Sequence, residues 1–201
     1  FLVKKLMKWL RKLYDWVLHW AETPYAVPAL ITLAFAESSF FPIPVDVLLI
    51  AMALSLPRNS FRYAAYTATF SVLGGVAGYI IGYYFMQYIG NTIIDFYGYA
   101  NQYESLAKTF QEHNFIAILV AALTPIPYKV FTITAGATNA NFVEFMTASI
   151  LGRSLRFFAV SALIYYFGER IRDFIDRYFN ILSITFAILL VGGFVLIKYL
   201  F

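Results

Sequence analysis

Five ionisable side chains stand inside stretches that are otherwise apolar: Glu37, Asp46, Lys129, Arg153 and Arg156. A charge near the centre of a bilayer costs about 3 kcal/mol or more, so such groups face a cavity or pair with one another. Counted from Tyr25 at about 1.5 Å per residue, Glu37 lies roughly 18 Å deep. Counted from Glu144, Arg153 and Arg156 lie roughly 14 and 18 Å deep. Both depths fall near the middle of a hydrocarbon core about 30 Å thick. Arg153 and Arg156 are one helical turn apart and share a face. Two acids against three bases leave one positive charge over. A set of purely structural ion pairs tends to cancel, whereas a site that accepts an anion does not. Guanidinium groups suit phosphate through paired hydrogen bonds that a lysine cannot copy. Burial and a neighbouring arginine pull a carboxyl group's proton affinity in opposite directions, which makes Glu37 and Asp46 candidates for proton coupling. The plainer alternative is that the arginines and acids pair only to hold the fold together.

The elements that position these residues carry a repeated phrase. FPIPVD spans Phe41 to Asp46, and TPIPYK spans Thr124 to Lys129. Each places Pro-Ile-Pro inside an apolar run with a charge two residues later. Proline stops helix geometry at a chosen depth, so Pro42, Pro44, Pro125 and Pro127 are read as hairpin turns. Around them, 61% of the 201 residues are hydrophobic and 13% are charged, against roughly a quarter charged in a soluble domain. The apolar stretches are continuous runs and not short alternating segments, which points to membrane helices and not to a β-barrel.

Apolar regions cover Tyr25–Leu56, Ala64–Ile89, Phe115–Thr138, Phe142–Phe167 and Ile181–Phe201. The halves of the first, Tyr25–Phe41 and Val45–Leu56, are each too short to cross a bilayer. Suppose the N-terminus is cytoplasmic and both Pro-Ile-Pro regions enter and leave on one side. Ten lysines and arginines then fall inside, with Lys108 and Lys198 outside; full crossings give nine against three. The first arrangement fits the positive-inside rule better. The predicted fold is an all-α integral membrane protein. Two re-entrant helical hairpins are each followed by a transmembrane helix, as an inverted repeat. Residues 1–24 form a basic amphipathic juxtamembrane helix, 25–180 the membrane domain (repeat one 25–89, repeat two 114–167), and 181–201 a C-terminal transmembrane helix. Gly90–Asn114 is expected as an external loop.

Gly74, Gly75, Gly78 and Gly82 form a small-residue face suited to close helix packing. The Gly74-Gly78-Gly82 face is also the expected route to a homo-oligomer. Charges interrupt the first twenty residues, so they are not read as a signal peptide. The chain has no cysteine. His19 and His113 are far apart, and no P-loop, nucleophile elbow or HExxH motif is present. The expectation is therefore no enzyme, no catalytic residue, no metal, no cofactor and no nucleic-acid partner.

FAESSFFPIPVDVLLIAMAL and LTPIPYKVFTITAGATNANFVEFMTASILGR resemble the two hairpins of the DedA family, also called the VTT-domain or SNARE-associated Golgi group, nearest its YqaA-like branch. The resemblance runs from about Tyr25 to Phe167. One departure stands out. The family's second hairpin carries a pattern like Arg-Phe-x-Pro-Gly-x-Arg. Here Pro125-Ile126-Pro127 replaces the turn, Lys129 stands near the second arginine, and Ala121-Ala122-Leu123 offers no first one. The resemblance implies translocation of a lipid, undecaprenyl phosphate or phospholipid, and dependence on proton-motive force. Combined with the residues, it predicts a proton-coupled flippase or scramblase of phosphate-bearing lipids in a bacterial or archaeal cytoplasmic membrane. Lys129, Arg153 and Arg156 would hold the anionic head group, of an anionic phospholipid or polyprenyl phosphate, and Glu37 and Asp46 would exchange protons. The alternatives are a proton-coupled carrier of small ions or solutes, and a membrane scaffold that transports nothing.

Overall fold

Every regular element among the described residues is helical; in this computed structural model those residues are 23, 25–40, 44–124, 126–168 and 170. In chain order they are α1 (Ala26–Ser39), α2 (Asp46–Ser55), a 3-10 turn (Pro57–Asn59), α3 (Ser60–Phe85), a π-helical segment (Met86–Gly90), α4 (Asn91–Tyr97), α5 (Ala100–Glu112), α6 (Asn114–Leu123), α7 (Tyr128–Ala137) and α8 (Phe142–Gly168). Apart from Thr23, the amphipathic helix expected over 1–24 lies outside the described residues, as do Pro42, Pro125 and the C-terminal helix 181–201.

Length divides the helices into two kinds. α3 has 26 residues and α8 has 27, or roughly 40 Å each, enough for a core of about 30 Å. Both are apolar enough to cross a membrane. By contrast α1 has 14 residues, and α2, α6 and α7 have 10 each, or roughly 21 and 15 Å. No one of these short helices can reach across. α1 and α2 flank the first Pro-Ile-Pro, and α6 and α7 flank the second.

Where a loop was expected over Gly90–Asn114, the chain is helical. α3 runs on through the π-helical segment into α4, which ends at Gly98 in the left-handed conformation (φ 70°). α5 follows with Glu, Gln, Lys, Leu and Ala, all good helix formers, so its low hydropathy hid a strong helix propensity. Asn141 starts α8: its Oδ1 accepts from the backbone N–H groups of Val143 (2.9 Å) and Glu144 (3.3 Å). Its own carbonyl accepts from Asn114 Nδ2 at 3.0 Å, tying the starts of α6 and α8 together.

α3 is the central element and packs most extensively on α1 and α7. Its glycines explain how. A Cβ at Gly74 would run into the Phe35 carbonyl of α1, and one at Gly82 into the Ile133 carbonyl of α7. From the other side, a Cβ at Gly136 would strike the Tyr79 carbonyl of α3. Gly74, Gly78 and Gly82, the face expected to lead to a homo-oligomer, make close contacts within the chain. All three are buried inside the chain against α1 and α7, and the face is spent on intramolecular packing.

Two main clusters form the interior. One joins Leu30 and Ala34 of α1, Leu49 and Met52 of α2, Tyr63 and Ala64 of α3, and Phe157 of α8. The other joins Ile118 and Ala122 of α6, Tyr128 and Ala135 of α7, and Phe145 and Ala148 of α8, with Val76 and Tyr79 of α3 against it. Each short helix pair thus packs on the first part of the long helix that follows it, and is completed by a later part of the other long helix. Large apolar side chains cover much of the outside, among them Leu73, Ile80, Ile81, Leu151, Leu155 and Leu163, as lipid contact requires.

Candidate functional site: two arginine–carboxylate pairs

α8 carries both arginines on one face, and that face meets the ends of the short helices. Glu37 and Ser38 lie in the last turn of α1, and Asp46 is the first residue of α2. Thr124 follows α6, and Tyr128 opens α7. The breaks in the two helix pairs therefore converge on Arg153 and Arg156.

Arg153 is walled in. Its Nη2 donates to Glu37 Oε2 at 2.8 Å and to Ser38 Oγ at 3.2 Å, and its Nε donates to Ser71 Oγ of α3 at 2.5 Å. Ser38 Oγ and Ser71 Oγ are themselves 2.6 Å apart. The guanidinium carbon sits 4.8 Å from the centre of the Tyr128 ring and 4.7 Å from that of Phe157. Such cation–π contacts reach about 2 kcal/mol when desolvated. Tyr128 is fixed in turn by its hydroxyl, which donates to Ser149 Oγ at 2.6 Å. Only 3% of the Arg153 side chain is exposed, against 21% for Glu37.

Arg156 is more open. Its Nη2 donates to Asp46 Oδ2 at 2.6 Å, and the two side chains are 18% and 27% exposed. Its Nη1 donates to the Thr124 carbonyl, left free where α6 gives way to the second Pro-Ile-Pro. One guanidinium thus bridges the start of α2 to the end of α6. Asp46 gains further from its place at a helix N-terminus, where the peptide dipoles favour negative charge.

Four of the five residues singled out by the sequence come together in two pairs, Glu37 with Arg153 and Asp46 with Arg156. Lys129 is half-buried in the first turn of α7, one residue past Tyr128. Its carbonyl lies 2.9 Å from Thr132 Oγ1, which is 3.4 Å from the Ser38 carbonyl of α1. Pro44 and Pro127 flank the site, and both are exposed. Ser38, Ser71, Tyr128 and Phe157 escaped the sequence reading. The two serines had a faint signal, as small hydroxyls in apolar helices, one of them next to Glu37. The two rings had none, since aromatic residues are abundant throughout the chain. Among the described residues, no group of three or more His, Asp or Glu comes together as a metal site would require.

Residues 43–166 match the family model of the VTT domain. The chain is 34% identical to an uncharacterised protein of Haemophilus influenzae, over 96% of this chain and the whole of the other. It is 33% identical to an uncharacterised protein of Histophilus somni, over 82% of this chain and 85% of the other. No solved structure matches. The matched domain holds Asp46, Arg153 and Arg156 on the elements just described, and the chain belongs to the VTT-domain, or DedA, family of membrane proteins.

Proposed function

We propose that this protein is a proton-coupled transporter of lipids bearing a phosphate head group, a flippase or scramblase. The observation that carries the reading is the Arg156–Asp46 pair, a partly exposed guanidinium–carboxylate bridge between two broken helix pairs in an apolar chain. A phosphate oxygen can replace the carboxylate oxygen on the same donor, Arg156 Nη2. When Asp46 takes up a proton it loses its hold on Arg156, and Nη2 becomes available while Nη1 stays on the Thr124 carbonyl. A phosphodiester anion then takes the place of the carboxylate, and the net charge of the site is unchanged. Return of the proton to water restores the pair and expels the head group. Arg156 makes the first contact, with Lys129 contributing charge from α7. Glu37 and Arg153 act as the second proton-linked pair, with Arg153 mainly positioning the end of α1. The acyl chains remain in lipid throughout.

The same reading makes α1–α2 and α6–α7 re-entrant hairpins of an inverted repeat in the cytoplasmic membrane, with the N-terminus inside. The shortness of these four helices and the matching division of the two cores support it. Reconstitution into liposomes tests the function. Labelled phosphate lipid should cross faster with protein than without, and a proton gradient should change the rate. Equal rates in protein-free liposomes would remove the proposal. A second reading, a scaffold whose charges only brace the helices, is favoured by the enclosure of Arg153. It predicts stable, well-folded protein with no lipid movement.

A further inference from the structure

A groove of about 440 Å³ lies between α3 and α8, the two helices long enough to cross a membrane. Ala65, Ala68 and Thr69 of α3 form one wall, and Ser154 and Phe158 of α8 form the other. We infer that residues 181–201 of this same chain, the apolar run that follows α8, dock in this groove as a helix antiparallel to α8.

The lining suits a helix better than acyl chains. Small side chains three and four residues apart let a second helix come close, and Ala65, Ala68 and Thr69 have that spacing. The hydroxyls of Thr69 and Ser154 have no hydrogen-bond partner among the described residues. A hydroxyl left against hydrocarbon is costly, and acyl chains offer it nothing. A helix with glycine at the contact brings its backbone carbonyls and Cα–H groups within reach. Behind the groove, Arg153 Nε donates to Ser71 Oγ at 2.5 Å, and each of the two residues is the sequence neighbour of a lining residue, Ser154 or Val72. A helix in the groove thus also seals the buried arginine on this side.

Length and register select the occupant. A Cβ at Gly168, at the end of α8, would lie 3.7 Å from Pro57 Cγ in the turn before α3, so both walls are measured from one level. Thr69 is twelve residues from Pro57, roughly 18 Å, and Ser154 is fourteen from Gly168, roughly 21 Å. Only the twelve residues 169–180 join α8 to the run, and six of them are charged. So many charges keep the connection on the side where α8 ends, and short connections make antiparallel neighbours. A helix that starts at Ile181 on that level brings Gly192 and Gly193 to roughly 17 and 18 Å, the depth of Thr69. These two are the only glycines of the run. Lys198 then stands roughly 26 Å across, close enough to the far head groups for its ammonium to reach water.

Introduced cysteines test the contact in the full chain, which has none of its own. Ser154→Cys is combined with a single cysteine at each position from 189 to 196, and a protease site is inserted in the 169–180 connection. After oxidation and cleavage, only a disulfide within one chain holds the two fragments together. It should peak at Gly192→Cys or Gly193→Cys, because the bond needs Cβ atoms about 3.5–4.5 Å apart. Thr69→Cys with Gly192→Cys repeats the measurement from the other wall. Leu155→Cys, exposed but outside the groove, should stay at background. Gly193→Leu, with no cysteine present, should lower the melting temperature by about 2 °C or more. A disulfide-linked dimer as the main product makes a second copy the occupant and overturns the proposal. So does the absence of a disulfide from both walls, which leaves the groove to acyl chains, or a Gly193→Leu protein as stable as wild type. None of these readouts depends on lipid movement, so the docking and the transport reading stand or fall separately.

Discussion

Arg153 and Arg156 differ in surroundings more than their spacing implies, and the difference sorts stability from transport. Arg153→Ala leaves Glu37 without its cation inside a nearly closed site and removes the bonds to Ser38 and Ser71. Breaking a buried pair in this way costs about 3–5 kcal/mol, to be read as a large fall in thermal stability in detergent. Glu37→Gln strands the buried guanidinium, though the amide still accepts a hydrogen bond, so it should lower stability by less. Asp46 and Arg156 are partly exposed, and a pair of that kind is worth at most about 1 kcal/mol. Asp46→Asn and Arg156→Lys should therefore fold nearly normally while phosphate-lipid transport falls about tenfold, because lysine lacks the planar fork. Equal effects of all four substitutions on folding and transport would return the site to a purely structural role.

At the scale of the helices, α3 is held by closeness of backbone. A methyl group at position 82 meets the Ile133 carbonyl, which is itself part of α7 and has little room to retreat. Gly82→Ala should destabilise by about 1–3 kcal/mol through overpacking, and Gly136→Ala by a similar amount from the opposite side of the same contact. Gly98→Ala is a control of another kind. Nothing lies within 4 Å of its added methyl, so only the left-handed backbone (φ 70°) opposes it, at about 1 kcal/mol. Asn141→Ala removes the cap of α8 and should cost about 1 kcal/mol. Thermal unfolding of the four variants tests the ranking, and a Gly82→Ala protein as stable as wild type would show that α3 and α7 can part without loss.

For the whole molecule, the decisive question is which side each connection faces. The chain has no native cysteine, so single cysteines report cleanly. In the proposed topology Arg58→Cys, in the turn before α3, reacts from the cytoplasmic side, and Glu112→Cys, at the end of α5, reacts from the outer side. α3 alone crosses between them. Arg58→Cys outside with the N-terminus inside would mean that the first Pro-Ile-Pro region does not turn back within the membrane, and finding both cysteines on one side would mean that α3 does not cross it.

The sequence by itself determined the solvent, the helical class and four of the residues at the central site. Each of these follows from composition or from local rules: long apolar runs exclude a soluble domain, prolines break helices, and charges in such runs must find partners. It also limited the choice of partners, since Glu37 and Asp46 stood against Lys129, Arg153 and Arg156. Only the tertiary structure decided which acid meets which arginine, because those contacts join residues more than a hundred positions apart. The enclosure of Arg153 by Ser38, Ser71, Tyr128 and Phe157 depends in the same way on how four helices meet, and no local pattern encodes it. The glycine face of α3 was legible as a packing surface, but its partners were not, since a small-residue stripe fits a second copy as readily as it fits α1 and α7. The helices over Gly90–Asn114 were missed because hydropathy reports burial, whereas α5 is set by helix propensity and by the few residues, such as Ala107, that it turns inward.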